Sequence, residues 1–289
     1  MILASDFEVT PLHHLMTLDN PEKAMLSLPQ VSCPVTHYFG PGICIREVSM
    51  AAGTLAIGHR QKFEHMNIML KGKVLMIGDD GKEKILVAPL LFVGKPGRKV
   101  GYVLEDVVWQ NVYATDLKTA DEVESFFIEK SEDWKQDNAA KFAHDHLSKE
   151  ADRQDYARVV EECGIPADII EQQVMNTDDV IAAERGIVRV ADSPIHGKGL
   201  FVTTSVKAGE TIVPARVNGN RTQAGRYTNH STIPNAMMQM LPNGDIALVA
   251  TEDIQGCAGG SVGTEVTICY RQALTLSGVI CYKEQKCLV

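Results

Sequence analysis

The chain has 289 residues, of which 45% are hydrophobic and 22% are charged, a composition typical of a globular protein with one or two domains. The formal net charge of −9 argues against nucleic acid as a direct partner. The 7 cysteines include no Cys-x-x-Cys pair, so neither a disulfide framework nor a zinc ribbon is indicated. A reducing compartment is therefore expected.

The sequence gives no sign of membrane insertion or secretion. The first residues, Met1 to Asp6, lack the basic start and apolar stretch of a signal peptide. The longest apolar run, Ile85 to Val93, contains a proline and is far shorter than a membrane span. We therefore expect a cytoplasmic protein without a membrane partner.

Residues 1–130 predict a small antiparallel β-barrel or sandwich. A lead-in to about residue 40 carries a short helical pattern from Pro21 to Leu28. Short β-rich runs follow, separated by turn signals such as Asp79-Asp-Gly81. A helical pattern from Asp116 to Lys130 then closes this domain. The predicted strands are Ile43–Val48, Thr54–Ile57, Met66–Leu70, Lys73–Ile77, Ile85–Val87, Leu90–Val93 and Val107–Ala114.

One spacing in this part is typical of a metal site. The pattern is Gly53-x5-His59-x-Gln61-x3-His65-x6-Gly72. Side chains two residues apart on a strand share a face, so His59 and Gln61 are expected to point the same way. The pattern resembles the first motif of the cupin family, whose members hold a divalent metal inside the barrel with the three middle side chains.

The second cupin motif is incomplete. It resembles Pro89 to Val112, but Lys99 or Val100 stands where its histidine belongs. Gln61 is also a poor ligand for transition metals. We therefore expect a barrel that binds no divalent metal and serves homo-oligomerisation, rather than a metal-dependent dioxygenase or isomerase. The weak metal candidates are His59, Gln61 and His65.

Residues 131–185 are highly charged, carry no strand pattern and predict a helical linker. Two helices are expected, Ala151–Cys163 before Gly164 and Pro166–Val174. His144 and His146 invite a metal interpretation, but residues i and i+2 of a helix point in different directions. We therefore expect a spacer without a site of its own.

After residue 185, four sequence blocks follow in a fixed order. The first contains a Gly-x-Gly turn, where missing Cβ atoms let backbone amides approach a ligand. The second is dense in hydrogen-bonding groups, which suits a loop that closes over a polar ligand. The blocks are Ile195-His-Gly-Lys-Gly-Leu-Phe201, Arg226-Tyr-Thr-Asn-His-Ser-Thr-Ile-Pro-Asn235, Gly244-Asp-Ile-Ala-Leu-Val-Ala250 and Gly263-Thr-Glu-Val-Thr-Ile-Cys-Tyr270.

Over residues 186–274 these blocks resemble the SET family of S-adenosylmethionine-dependent protein-lysine methyltransferases. The resemblance implies a SET-like β fold with a pseudoknot loop, S-adenosylmethionine as cofactor and a protein as substrate. Its cofactor residues would be Gly197, Lys198, Gly199, Leu200, Asn229 and His230. Its catalytic residues would be Tyr270, at the channel where methyl transfer occurs, and Tyr227, as a second aromatic wall.

The sequence also departs from the SET pattern. Only 29 residues separate Gly199 from Asn229, where family enzymes insert a substrate-binding subdomain. Thr232 replaces the cysteine that follows Asn-His-Ser in the family, and Cys281 and Cys287 do not match its cysteine-rich zinc segment. The cofactor half of the site is thus better preserved than the acceptor half.

The sequence as a whole predicts a mainly β protein with α-helices, built from a cupin-like barrel (1–130), a helical linker (131–185) and a short SET-like domain (186–289). Two functions stay open. One is a minimal protein-lysine methyltransferase whose catalysis is intact or eroded. The other is a non-catalytic oligomeric assembly component. The pairing of the two domains resembles uncharacterised proteins of tailed bacteriophages, which implies virion proteins as partners and a head or tail accessory role after synthesis in the host cytoplasm.

Overall fold

The computed structural model describes residues 11–77, 82–176, 178, 180, 181, 186–258 and 260–278. The protein is mainly β with α-helices, and it divides into two compact units. Unit 1 is Met1–Ala139 with Ala258–Gly260, and unit 2 is Ala140–Cys257 with Ser261–Val289. Among the described helices, none is long and apolar enough to cross a membrane. The predicted turn at Asp79–Gly81 and the residues Cys281 and Cys287 lie outside the described residues.

Unit 1 is built on antiparallel strands with three short helices, and a fourth helix contains its boundary with unit 2. The helices are α1 Pro11–Met16, α2 Pro21–Leu26, α3 Ala120–Phe127 and α4 Glu132–Ser148. The strands are β1 Val35–Gly40, β2 Ile43–Met50, β3 Leu55–Ile57, β4 Arg60–Gln61, β5 His65–Ile77, β6 Glu83–Val87, β7 Leu90–Gly94, β8 Val100–Ala114 and β9 Ile128–Glu129.

Strand β8 is the centre of unit 1. Seven strands form one sheet in the order β1-β2-β8-β5-β6, with β3 also paired to β8 and β7 to β5. Alternate residues of β8 are buried, as expected for a strand with one face towards a core. Side chains of β2, β3, β5 and β8 line one cavity, so the sheet curves around its own interior.

Two predicted strands, Met66–Leu70 and Lys73–Ile77, are a single strand in the structure, β5. The chain passes between them through a bulge at Gly72, which has φ +92°. A Cβ atom at Gly72 would overlap the backbone carbonyl of Asp106. Glycine therefore lets the strand continue where the sequence pattern suggested a break.

The lead-in before residue 40 also differs from the prediction. Val35–Gly40 forms strand β1, which pairs with β2 and buries Val35. At the other end, α3 is shorter than the predicted Asp116–Lys130, because Thr119 and Glu122 cap its start with reciprocal hydrogen bonds. The strand β9 that follows α3 pairs with β4 and so fixes the position of Gln61.

Unit 2 contains two four-stranded sheets, β10-β11-β17-β14 and β13-β12-β16-β15, around a core that includes Val202, Ile212, Leu248 and Val266. Its further helices are α5 Glu150–Cys163, α6 Ala167–Met175, α7 Gln223–Tyr227 and α8 Tyr270–Leu276. Its strands are β10 Val188–Asp192, β11 Lys198–Val202, β12 Thr211–Val217, β13 Asn220–Arg221, β14 Asn229–His230, β15 Ala236–Met240, β16 Ile246–Ala250 and β17 Glu265–Ile268.

The pairing of β14 with β17 in unit 2 is parallel. Strand β14 lies beside β17, with Asn229 opposite Thr267 and His230 opposite Ile268. Because β17 leads directly into α8, this pairing brings the Asn-His pair next to Tyr270. Sequence blocks far apart along the chain therefore meet at one edge of a sheet.

The predicted linker, 131–185, forms three helices in the structure, and α5 is not a spacer. Helix α5 belongs to unit 2 and buries Asp152, Asp155 and Val159. Two of these three residues, Asp152 and Asp155, are carboxylates. Their partners, described below, lie in the Asn-His-Ser segment and in α8.

The bulge at Gly72 is testable by substitution. Gly72→Ala should destabilise unit 1 by about 2–5 kcal/mol, because positive φ costs about 1–2 kcal/mol and overlap with backbone adds about 1–3 kcal/mol. Gly53→Ala is the matched control, since Gly53 also has positive φ but no atom lies near its Cβ position. Urea unfolding followed by tryptophan fluorescence reports unit 1, where both Trp109 and Trp134 lie. Equal losses in the two variants would contradict the steric argument.

Candidate active site

The side-chain amide of Asn229 joins two of the predicted motifs. Its Nδ2 atom lies 3.3 Å from the carbonyl oxygen of His196 and 3.2 Å from that of Lys198. It also lies 3.0 Å from Ser193 Oγ and 2.8 Å from Glu265 Oε1. An amide nitrogen is a donor only, so these acceptors fix the side-chain orientation. No described residue donates to Asn229 Oδ1, which is left as an acceptor.

Glu265 is a buried carboxylate held by neutral donors. It is 8% exposed and accepts hydrogen bonds from Ser193 Oγ at 2.8 Å and from Asn229. Burial raises its pKa above the usual range, and the two hydrogen bonds oppose that shift. A Cβ atom at Gly199 would overlap this carboxylate. Glycine at position 199 therefore has a packing reason, in addition to any approach of a ligand.

The imidazole of His230 has protein partners at both nitrogens. Nε2 lies 2.9 Å from Asp155 Oδ2, and Nδ1 accepts a hydrogen bond from the backbone N–H of Tyr270 at 3.2 Å. The ring is 2% exposed. The guanidinium of Arg271, and then the His230 bond, lower the pKa of Asp155 to about 2 against its burial. Both nitrogens of the His230 side chain are therefore occupied by protein partners, and its predicted contact with the cofactor stays a prediction.

Tyr270 begins helix α8 with its hydroxyl inside unit 2. The hydroxyl donates to the carbonyl oxygen of Thr228 at 2.9 Å. Its ring lies edge-on to Tyr156, with centroids 5.8 Å apart. Burial raises the pKa of Tyr270 well above its usual range, so the hydroxyl stays protonated at physiological pH. Since its proton is directed at Thr228, its oxygen lone pairs are available to accept a hydrogen bond.

Arg226 and Tyr227 form a second aromatic contact. The guanidinium of Arg226 lies 5.0 Å from the ring centroid of Tyr227. Arg226 Nε is buried, and no hydrogen bond to it is found in the part of the chain that the structure describes. Among the described contacts, no hydrogen bond or ring contact joins Tyr227 to Tyr270. The predicted pair of catalytic tyrosines therefore shares no direct contact.

The remaining predicted cofactor residues lie on and beside the turn before β11. Gly197 has φ +51°, and its carbonyl accepts the backbone N–H of Ser193 at 2.9 Å. The side chain of Lys198 turns to Asp192, with Nζ 2.7 Å from Oδ1. Leu200 is 1% exposed in the hydrophobic core. Only the backbone of this turn is thus placed near Asn229.

Asp152 is a site residue that the sequence interpretation missed. Its Oδ1 accepts hydrogen bonds from Ser231 Oγ at 3.1 Å, from the backbone N–H of Thr232 at 2.7 Å and from Thr232 Oγ1 at 2.8 Å. Thr232, which departs from the family cysteine, therefore has a defined partner. The sequence signal was available only as the i, i+3 spacing of Asp152 and Asp155, which share a helix face.

In unit 1, two of the three weak metal candidates, Gln61 and His65, have protein hydrogen-bond partners. Gln61 Oε1 accepts a hydrogen bond from Tyr113 at 3.0 Å, and His65 Nδ1 lies 3.0 Å from the carbonyl of Phe63. Burial lowers the pKa of His59 to about 4, so its imidazole is neutral at pH 7. In the described ranges no group of three His, Cys, Asp or Glu side chains is arranged to hold a metal. The absence of a metal from the barrel stays a prediction.

No protein-family profile matches the sequence, and no curated relative is found at a significant level of similarity. A cupin domain from Bordetella pertussis Tohama I is 11% identical, over 31% of this chain and 99% of that one, with a TM-score of 0.26. An RmlC-like cupin protein with a double-stranded β-helix fold from Methanocaldococcus jannaschii is 12% identical, over 30% and 80%, with a TM-score of 0.25.

Hydroxypropylphosphonic acid epoxidase from S. wedmorenis is 12% identical over 29% of this chain, with a TM-score of 0.25, and the match spans 53% of the epoxidase. Cupin-domain proteins are thus among the solved structures that resemble part of this chain. TM-scores this low carry no further conclusion, so the architecture given above rests on strand pairing and burial.

The Asp155 contacts predict a pH-dependent stability of unit 2. A lowered carboxylate pKa stabilises the fold above the unfolded pKa of about 3.9, and that contribution is lost as pH falls through the folded value. Asp155→Asn should therefore lower the free energy of unfolding by about 2–3 kcal/mol near neutral pH, with the deficit shrinking as pH falls from about 4 to 2.

Far-UV circular dichroism during urea unfolding measures this deficit, while tryptophan fluorescence monitors unit 1 separately. Glu161→Gln, an exposed position on the same helix, is the control and should change little. A deficit that stays constant down to pH 2 would show that the Asp155 carboxylate is not the stabilising group.

Proposed function

We propose that unit 2 is a minimal SET-type domain that transfers a methyl group from S-adenosylmethionine to a lysine of a protein. One observation carries the proposal. The side-chain amide of Asn229 donates hydrogen bonds to backbone carbonyls of the Gly-x-Gly turn, and the Tyr270 hydroxyl donates to the carbonyl of the residue before Asn229. Three motifs that the SET resemblance assigns to one site are therefore neighbours. The pseudoknot loop that the family implies is part of the same proposal, supported by the parallel pairing of β14 with β17.

The residues present fit the charged end of the cofactor. The methionyl part of S-adenosylmethionine carries an ammonium group and a carboxylate. Asn229 Oδ1 is an acceptor to which no described residue donates, which suits the ammonium group. Arg226 Nε, a cationic donor, is buried and has no hydrogen-bond partner in the described chain, so a carboxylate would reach it only after the side chain moves.

When bound, the cofactor supplies an electrophilic methyl group, which a neutral lysine nitrogen takes while the electron pair of the broken C–S bond stays on sulfur. Tyr270 cannot remove the lysine proton at neutral pH, because burial holds its own pKa too high. That proton must therefore leave to water before transfer. The role of Tyr270 is to orient the amine. The lone pairs of its hydroxyl oxygen accept an amine N–H, while the hydroxyl proton is donated to the Thr228 carbonyl.

Few residues are available to form the side of the site that would bind the methyl acceptor. Between β11 and β14 the structure has only β12, β13 and α7, joined by a tight turn in which Asn218 and Gly219 both have positive φ. Residues 200–228 are all described, and they contain no long insertion that could form a peptide groove. We therefore expect slow or undetectable transfer to free peptides even when the cofactor binds.

A second candidate function is a non-catalytic, oligomeric structural component, including a phage virion accessory protein. The observation that favours it is an apolar outer face on unit 1. Four side chains of β6 and β7 that alternate with inward-facing residues are about half exposed or more: Ile85 45%, Val87 53%, Leu91 60% and Val93 59%. Exposed apolar side chains grouped along edge strands favour an interface.

Calorimetric titration with S-adenosylmethionine tests the first function. Asn229→Ala should weaken binding by about 1–3 kcal/mol, roughly five- to 150-fold, because a buried hydrogen bond to the ligand is lost. Lys198→Ala should bind like the native protein, since that side chain is paired with Asp192. Tyr270→Phe should bind nearly normally and lose transfer, because its hydroxyl acts at the reacting centre.

Three results would count against this function. Absence of heat at millimolar cofactor would favour the structural component. Equal affinity of Asn229→Ala and the native protein would remove the amide from the site. Rapid transfer to an unstructured lysine peptide would contradict the open acceptor side.

The oligomer is tested by multi-angle light scattering at micromolar concentration. We expect an oligomer that Leu91→Glu dissociates, because a charge inside an apolar interface is costly to bury. Glu83→Gln, on β6 but outside the four apolar residues, should keep the native mass. A native monomer, or a Leu91→Glu oligomer, would exclude this face as the interface.

A further inference from the structure

The sheet of unit 1 encloses a cavity of about 380 Å³ that the proposed methyl transfer does not use. Its volume lies within the range of about 300–1,000 Å³ typical of small-molecule sites. Helix α2 and the segment after it contribute to the lining, with Met25 and Leu26. Large apolar side chains of the sheet form much of the wall: Val48, Met50, Val74, Met76, Val103 and Trp109.

A chain of hydrogen bonds fixes one acceptor in this wall. Asn67, which is fully buried, uses Oδ1 to accept from Trp109 Nε1 at 3.0 Å and from Asn111 Nδ2 at 2.9 Å. Indole nitrogen is a donor only, so the Asn67 orientation is unambiguous and Asn111 must donate through its nitrogen. Asn111 lines the cavity, and among the described residues none donates to its Oδ1. The cavity therefore has an acceptor of fixed direction.

The same cavity wall also carries a donor. Gln61 lines the cavity, and its Oε1 accepts the Tyr113 hydroxyl at 3.0 Å. Within the described part of the chain, Gln61 Nε2 has no acceptor. Asn111 and Tyr113 are two residues apart on β8 and face the same way, about 7 Å apart. Gln61 Nε2 and Asn111 Oδ1 thus belong to the same part of the wall.

The charges around the cavity are largely paired. Arg46 Nε lies 3.2 Å from Glu124 Oε1, and Glu22 Oε2 lies 2.7 Å from Arg98 Nη1. His59, which also lines the cavity, is neutral because burial lowers its pKa to about 4. A neutral occupant therefore suits the wall better than an ion, which would have to displace an existing pair or remain uncompensated.

We propose that this cavity binds, without a metal ion, a neutral and largely apolar small molecule that carries one amide-like group. The carbonyl of that group receives the N–H of Gln61, and its N–H is accepted by Asn111 Oδ1. The apolar part of the ligand packs against the valine, methionine and tryptophan side chains of the wall. This ligand site belongs to unit 1 and does not depend on cofactor binding in unit 2.

Three small aromatic probes of one shape test the ligand class. Benzamide carries both the carbonyl and the N–H, acetophenone has only the carbonyl, and benzoate adds a charge that Lys99, another lining residue, would attract. Ligand-observed NMR on the full chain, with EDTA present, should show saturable benzamide binding at about millimolar concentration. Acetophenone should bind at least about fivefold more weakly, because the Asn111 acceptor stays unpaired.

Two variants locate the binding. Gln61→Glu keeps the acceptor for Tyr113 but replaces the donor by a carboxylate, and should weaken benzamide binding at least about fivefold. Gln173→Glu, the same change at an exposed position of α6, is the matched control and should have no effect. Val48→Phe fills the cavity and should abolish binding, while thermal unfolding checks that both variants are folded.

The proposal is overturned by any of three results. The first is the absence of saturable benzamide binding up to about 10 mM, a concentration above the dissociation constant expected for a specific ligand of this size. The second is tighter binding of benzoate than of benzamide, which would assign the cavity to anions through Lys99. The third is benzamide binding that survives in folded Val48→Phe, which would place the probe elsewhere.

Discussion

Three buried carboxylates hold the segment from Thr228 to Thr232 in place. Asp152, Asp155 and Glu265 are each less than 9% exposed. A carboxylate can be buried only when hydrogen bonds or opposite charges replace its water. Asp155 is paired with Arg271 and His230, while the other two carboxylates are held by loop N–H and hydroxyl groups and by the Asn229 amide. The conformation of the segment is therefore set before any ligand arrives.

This arrangement decides which polar atoms can act on a ligand. Atoms that face the protein are satisfied, including both nitrogens of His230 and the Nδ2 atom of Asn229. Within the described part of the chain, the atoms left without a donor are Asn229 Oδ1 and the lone pairs of the Tyr270 hydroxyl. Preorganised groups of this kind cost little to align, which favours ligand binding and positioning over acid–base chemistry. In unit 1 the same logic applies to Gln61 and Asn111, whose amides are each locked at one end.

The fold was predictable from the sequence to the extent that local patterns decide it. Alternating burial in β8 and the Asn218-Gly219 turn follow from strand geometry and positive φ. The sequence could not predict that β5 continues through Gly72. The reason for a glycine there is the close approach of the Asp106 backbone, which only the structure reveals. Strand β1 was missed because a six-residue run after proline resembles the end of a lead-in segment.

The candidate site was predictable only in part, for a physical reason. Some of the site lies in compact motifs whose residue types are typical of polar ligand binding: Asn229, the Gly197–Leu200 turn and Tyr270. Asp152 and Asp155 lie on a charged helix, and charge on a helix usually indicates solvent. Their role depends on partners about 75–80 residues away along the chain, His230, Ser231 and Thr232, and local periodicity carries no such information.

The most direct test of this account is two-dimensional 15N NMR of the full chain during titration with S-adenosylmethionine. The Asn229 side-chain amide and the Tyr270 backbone amide, both held by the buried network, should shift saturably on addition of the cofactor. The indole N–H signals of Trp109 and Trp134 in unit 1 should stay unchanged. Saturating cofactor that leaves the Asn229 and Tyr270 signals in place would contradict the assignment of a cofactor site to unit 2.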